Sequence, residues 1–216
     1  MYKILFVDIE TCGSDLLKND MLCFGACIGN PATMQIEDTF EAYLKPANFA
    51  SGTFCWEARC LREFWEHADN VAAKERILQR IKEEGVSAAD AMTKFRDWIN
   101  NRPQEERDKL VIYTDTAGFD IAFLDRYLSE ANQPAMNYII DGAYRPVFCS
   151  TSFHFGVAKH LPNEGLWGAE KAALKSLGSD VSRLDQNPFV ADHTPLNDAR
   201  HECWAIMVIH DAILKK

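Results

Sequence analysis

The 216-residue chain reads as an α/β protein with a mixed sheet, part antiparallel meander and part parallel, flanked by helices. Three observations predict it. Three short apolar, β-branched runs follow one another closely at the start, and the chain then turns helical in composition from about residue 57 to 100. From there strand-like and helix-like segments alternate to the end. Strands first, then helices alternating with strands, give a sheet covered by helices.

Each element has its own signal. Residues 2–7 contain Ile4-Leu5-Phe6-Val7 and stop abruptly at Asp8, as a buried strand does. Residues 22–28 and 34–44 supply two further strands, with Gly29-Asn30-Pro31 as turn chemistry between them. The helical stretch breaks near Asp69-Asn70 and at Glu84-Gly85. Its last piece starts at Ser87, an N-cap residue, and carries Ala91, Phe95, Trp98 and Ile99 on one face. Residues 110–113 form another buried-type strand, and 119–131 a helix with Phe123, Leu124, Tyr127 and Leu128 as its apolar stripe. Residues 138–140 and 147–149 read as short strands, 168–177 as a helix, and 196–214 as the final helix. No repeat, low-complexity tract or Gly/Ser/Pro-rich linker divides the chain. The expectation is one domain over 1–216, with a helical insert at about 52–85.

Composition narrows the function. With 47% hydrophobic and 25% charged residues the chain is globular rather than disordered. A net charge of −9 argues against a protein that coats DNA or RNA through its overall field. It says little against an enzyme whose acidic residues hold cations, because bound metals invert the local charge. Cys12, Cys23, Cys27, Cys55, Cys60, Cys149 and Cys203 are odd in number and lack zinc spacing, so they read as free thiols of a reducing compartment. No leader pattern and no apolar run of membrane-spanning length is evident. A soluble intracellular protein without membrane association is expected, cytoplasmic with the nucleus also open.

The informative signal is acidic residues at the edges of apolar elements. Asp8 and Glu10 follow the first strand, and residues two apart on a strand share a face, so both carboxylates project together. Asp120 opens a helix in line with its buried stripe. Asp198 repeats this on the last helix, sharing a face with Ala205, Ile209 and Ala212. Taken singly, each has a structural reading: Asp8 entering a turn, Asp120 as an N-cap, Asp198 answering the helix dipole. Four carboxylates directed at one interior would repel strongly unless cations lay between them, and oxygen-only ligands suit magnesium or manganese.

These residues resemble the DEDDh family of 3′–5′ exonucleases. The first motif stands here as Phe6-Val7-Asp8-Ile9-Glu10-Thr11-Cys12-Gly13. The second is Gly118-Phe119-Asp120-Ile121-Ala122-Phe123-Leu124 after a strand, and the third is His193-Thr194-Pro195-Leu196-Asn197-Asp198-Ala199. All three come in the family's order on the expected elements. A related branch carries Tyr four residues before the last Asp; position 194 is Thr, so the His branch fits. The resemblance implies an RNase H-like fold and two Mg²⁺ or Mn²⁺ ions held by Asp8, Glu10, Asp120 and Asp198. Asp8 would bridge both ions, Glu10 and Asp198 would complete one site, and Asp120 would act largely through water. His193 would be the general base, a role suited to a group that titrates near neutrality. The pattern departs from the family at Asp115-Thr116, where a pair such as His-Asn is usual; Asp115 is expected to face solvent.

The same resemblance implies that groups just after Glu10 hold the 3′-terminal nucleotide. Thr11, Cys12, Leu16 and Leu17 are the candidates, with Phe119 as a stacking platform that tolerates any base. In the insert, Trp56, Phe64 and Trp65 interleave with Arg59, Arg62, His67, Lys74, Arg76 and Arg80, as a strand-guiding wall would, but Glu57, Glu63, Glu66 and Glu75 share the stretch and favour an ordinary solvated amphipathic surface. His154, His160, His201 and His210 read as structural. The expected partner is the 3′ end of single-stranded or frayed DNA or RNA, with a homodimer left open. The alternatives are a metal-dependent endonuclease and a catalytically silent nucleic-acid-binding module.

Overall fold

A computed structural model describes residues 2–46, 54–158 and 168–215. The expectations for His160 and for the start of the insert at 52–53 lie outside these residues. Strands β1 (Lys3–Thr11), β2 (Met21–Asn30) and β3 (Gln35–Tyr43) form the expected meander. After it come the short helix α1 (Ala58–Cys60), which continues as a π-helical turn over Leu61–Trp65, then α2 (Val71–Glu84), α3 (Ala88–Asn100) and α4 (Gln104–Arg107). The remaining elements are β4 (Leu110–Thr114), α5 (Ala117–Glu130), β5 (Val147–Cys149), α6 (Ser150–Ala158), α7 (Ala169–Ser176) and α8 (Pro195–Leu214). The sheet order is β3-β2-β1-β4-β5, antiparallel on the β3 side of β1 and parallel on the β5 side.

Alternation along β1 sorts the core into two layers. Leu5, Val7 and Ile9 face α3 and α5, where they meet Phe95, Ile99, Phe123 and Leu128. Ile4 and Phe6 face α8, packing with Ala199, Cys203, Ile206 and Met207. By the same period of two, Asp8 and Glu10 fall on the α8 side. Ser87 caps α3 as its sequence predicts, its Oγ accepting from the Asp90 N–H at 3.1 Å.

Helix α8 lies unusually close to the sheet because one face of β2 is nearly bare. A methyl group at Gly25 would fall 2.4 Å from the backbone N of Leu196, and one at Gly29 would fall 2.5 Å from Cys203 Sγ. Between them the Cys27 Sγ donates to the Ala199 carbonyl at 3.4 Å. Gly25 is paired with Asp8 across the ladder, so this approach sets the first turn of α8 beside the acidic end of β1.

Three expectations are corrected. β1 does not end at Asp8 but runs through Thr11, so both acids lie within the ladder, with a register shift only between Glu10 and Thr11. Residues 138–140 are not a strand. Met136–Tyr138 make a 3-10 turn, and the chain reverses through Asp141 and Gly142 at positive φ. Ile139 and Ile140 are apolar because they plug the core beneath α5, not because they are extended. Helix α6 was not foreseen. Its Ser-, Thr- and Gly-containing sequence has low helix propensity, and it is held by tertiary contacts, Phe153 stacking on His210 and Ser150 and Thr151 bonding to Asp115.

Gly25→Ala should therefore force α8 off the sheet. A cost of about 1–3 kcal/mol is expected from overpacking, measurable by urea unfolding, with activity falling further than stability because Asp198 moves with the helix.

Candidate active site

The carboxyl ends of β1 and β4 form the floor of the site, and α5 and α8 begin above it from opposite faces of the sheet. Glu10 and Asp120 are buried, Asp8 and Asp198 half-buried. Asp120 is the first member of the buried stripe of α5 that continues through Phe123, Leu124, Tyr127 and Leu128. Its Oδ2 accepts from the Thr114 hydroxyl and from the Thr116 N–H at 3.0 Å, so the acid is fixed to the end of β4. Asp198 Oδ1 accepts from the Asp192 N–H at 2.9 Å.

The electrostatics show how closely these groups meet. Burial first, then the charges of Asp120, Glu10 and Asp198, hold Asp8 well above the usual carboxylate range. Glu10 is raised in the same way, by burial and then by Asp198 and Asp120. Burial pushes Asp120 up to about 6 against the pull of its two Thr donors, and burial also raises Asp198. Among the described residues no ion pair joins Asp8, Glu10 or Asp120 to a Lys or Arg. Behind Asp198, burial together with Glu170 and Asp115 pushes Glu202 up to about 8. Sequence reasoning did not single out Glu202, since an acid on a helix gives no signal until its burial is known.

The donor set fits a divalent cation. Glu10, His193 and Asp198 each offer a ligand atom, all within 4.8 Å of one another, and Asp8 and Asp120 interact electrostatically with this group from the strand and α5. His193 sits on the loop before α8 with φ of +57°, a conformation costly for a residue with a Cβ. The loop is held by the Asp192 carboxylate, whose Oδ1 accepts from the Thr194 N–H (3.2 Å), the Thr194 hydroxyl (2.5 Å) and Asn197 Nδ2 (3.2 Å). His193 Nδ1 lies 3.9 Å from Asp198 Oδ2, and its side chain remains 40% exposed, so water reaches it.

A cleft of about 430 Å³ opens beside Glu10, within the usual size range of small-ligand sites. Thr11 and Phe119 are among its lining residues. The other wall comes from the insert: Arg59, Cys60 and Phe64. The Phe64 ring meets the His193 ring edge-on at 5.1 Å between centroids. The insert is latched by Trp65 Nε1 donating to the Thr11 carbonyl at 2.9 Å and by the Glu57 N–H donating to the Cys12 carbonyl at 2.9 Å. The segment is amphipathic as read: Arg62 and Glu63 are exposed, while Trp65 is buried and Phe64 half-buried on the inner side of the π-helical turn.

Other expectations are corrected in detail. The Cys12 side chain is fully buried among Cys23, Tyr43 and Trp65 and does not reach the cleft. Leu16 packs against the core and Leu17 is 85% exposed; neither lines the cleft. Asp115 is not free in solvent, because its Oδ1 accepts from Ser150 Oγ at 3.0 Å and Thr151 Oγ1 at 2.8 Å. His154 and His210 are structural as expected, both pushed by burial down to about 4, and His210 bridges the hydroxyls of Tyr2 and Tyr113.

Acids from β1, α5 and α8 thus gather at the carboxyl end of a mixed sheet, with a histidine on the loop before α8. The chain belongs to the 3′-5′ exoribonuclease Rv2179c-like domain family, whose model matches residues 3–210. It is 26% identical over 212 residues to the 3′-5′ DNA exonuclease Cap18 of Escherichia coli, covering 97% of this chain and 92% of that protein. In fold it is similar to the zinc-bound E. coli ExoI–ssDNA complex (TM-score 0.61, 12% identity), with all of this chain matching 41% of that one. It is similar also to the nuclease domain of 3′hExo, a DEDDh family member bound to rAMP (TM-score 0.57, 17% identity; 99% of this chain, 92% of that one). Among the described residues no helix is long and apolar enough to cross a membrane.

The raised carboxylates make a stability prediction with a definite sign. For Asp120, stability tied to the protonated form is full below its ordinary value of 3.8 and is lost as pH rises through about 6. Asp8 is shifted in the same direction. Metal-free Asp8→Asn should therefore melt above wild type at pH near 8, by about 2–4 °C per kcal/mol of relieved repulsion, and the gain should shrink as pH falls towards about 5. Calorimetry in chelator checks this; a gain that grows on acidification would contradict it.

Proposed function

We propose that this 3′–5′ exonuclease is a single catalytic domain that removes nucleoside monophosphates from single-stranded or frayed DNA or RNA ends with two Mg²⁺ or Mn²⁺ ions. The observation that carries the reading is the convergence of Asp8, Glu10, Asp120 and Asp198 beside a nucleotide-sized cleft, with His193 at its edge. Asp8, Glu10, Asp120 and Asp198 would hold the ions, which when bound stabilise the charge that builds on the phosphate during in-line displacement.

The remaining work falls to the chain's own groups. Phe119 and Phe64 both line the cleft and would hold the terminal nucleoside through its ring faces and edges, which suits a site without base preference. Thr114 and the Thr116 N–H keep Asp120 aimed at the strand end. His193, exposed on one side and facing Asp198 on the other, takes the proton from the attacking water. Phe64 against its ring and Asp192 beneath its loop keep it in place.

A time course on matched labelled DNA and RNA oligomers, with manganese, magnesium or chelator, tests the reading and ranks the two sugars. Single-nucleotide products in metal and none in chelator are expected, and cleavage of circular substrate would favour an endonuclease instead. His193→Ala should lower kcat by about 10²–10⁴-fold while the manganese concentration for half-maximal activity stays nearly constant. Loss of manganese affinity instead would make His193 a ligand, a role its distance from Glu10 and Asp198 permits.

A further inference from the structure

We propose that a second cleft, on the far side of the His193 loop, is the track for the phosphodiester chain 5′ to the scissile bond. This rests on the exonuclease reading above and adds a subsite to it. The cleft has a volume of about 510 Å³ and receives Arg76 and Arg80 from α2 and Arg200 from α8. Asp192 and Thr194 also line it. These are the chain neighbours of His193, so one loop separates this cleft from the catalytic one. Through the Asp192 N–H that loop is tied to Asp198. A strand whose last nucleotide fills the first cleft has its next phosphates beside this loop.

The charge is what a polyanion requires. The chain carries a net charge of −9, yet here three guanidinium groups face two carboxylates, Glu41 and Asp192. Arg200 is the clearest element. Among the described residues it has no ion pair, its Nε is buried without an acceptor, and its guanidinium lies 5.8 Å from the centroid of the Phe189 ring. A buried N–H left without an acceptor is costly, and phosphate oxygens are the acceptors that a guanidinium fork matches best. Arg76 pairs with Asp192 at 3.1 Å, and Arg80, stacked 4.4 Å from the Tyr43 centroid, pairs with Glu41 at 3.3 Å and with Glu84 one turn along α2. Both arginine side chains are nearly half exposed, and such pairs are weak enough for phosphate to compete. The aromatic ring of this cleft, Tyr43, is covered by Arg80 and offers no stacking platform. The cleft therefore reads backbone and not bases.

Steady-state kinetics on two substrates tests the assignment: a single-stranded oligonucleotide, and thymidine 5′-p-nitrophenyl phosphate, whose single phosphate engages only the catalytic cleft. Arg200→Gln should raise KM for the oligonucleotide about three- to tenfold with kcat little changed, and should flatten the slope of log KM against log salt by about 0.7 for each phosphate no longer neutralised. Its effect on the nucleotide ester should be far smaller. Arg200 is partly buried, so Gln79→Lys, at an exposed position of α2 in the same cleft, provides the opposite change without disturbing the core. It should lower the oligonucleotide KM and steepen the salt slope. Oligonucleotide KM and salt slope unchanged in both variants, or equal effects on both substrates, would overturn the proposal. No hydrolysis of either substrate by the wild-type protein with manganese would overturn the exonuclease reading, and this subsite with it.

Discussion

The contact on which the rest of the structure depends is the seating of α8 on the Gly25–Gly29 face of β2. At β2 it thins the layer of side chains between helix and sheet to Cys27, so that Leu196 and Cys203 pack close against Gly25 and Gly29. Helix α8 brings Asp198 to Asp8 and Glu10 only at this separation. The apolar contacts along the rest of α8, among them Ile206, Met207 and Ile209, supply the burial that offsets crowding like charges at its first turn. Repulsion at the strand end is thus sustained by packing along the helix, and cations are the natural relief for it.

Polar support around the acids serves the same end. Thr114 and Thr116 donate to Asp120, and the Asp192 backbone donates to Asp198. These contacts fix where the carboxylates point before any ligand arrives, which is the form of preorganisation that electrostatic catalysis uses. The positive φ of His193 belongs to this set: a strained loop held by the three hydrogen bonds to Asp192 Oδ1 and by the Phe64 ring.

The segment between β3 and α3 contributes more than its composition suggests. Trp65 is sealed in a small core with Ile77 and Ile81 and donates to the Thr11 carbonyl, which ties the insert to the end of β1. Phe64, next in the same π-helical turn, is thereby directed into the cleft. Helix α2 extends this link through Arg76 to Asp192, joining the insert to the loop that carries His193.

The sequence by itself determined the meander and the alternation of later helices and strands, because each carries a local signature, while the five polar residues proposed for the site stood out through motifs that resemble a known family. Strand and helix periods reveal which face a residue takes, and an acid in line with an apolar stripe, as Asp120 is, stands out without a structure. Only the tertiary structure decided that Cys12 turns inward while Phe64 lines the cleft beside Glu10, that Ile139 and Ile140 plug a core instead of forming a strand, and that Asp115 holds α6. Those outcomes depend on what lies opposite each side chain across a distance in sequence. A residue's type fixes what it can bond to or bury against, but its partner is supplied by the packing of elements far along the chain.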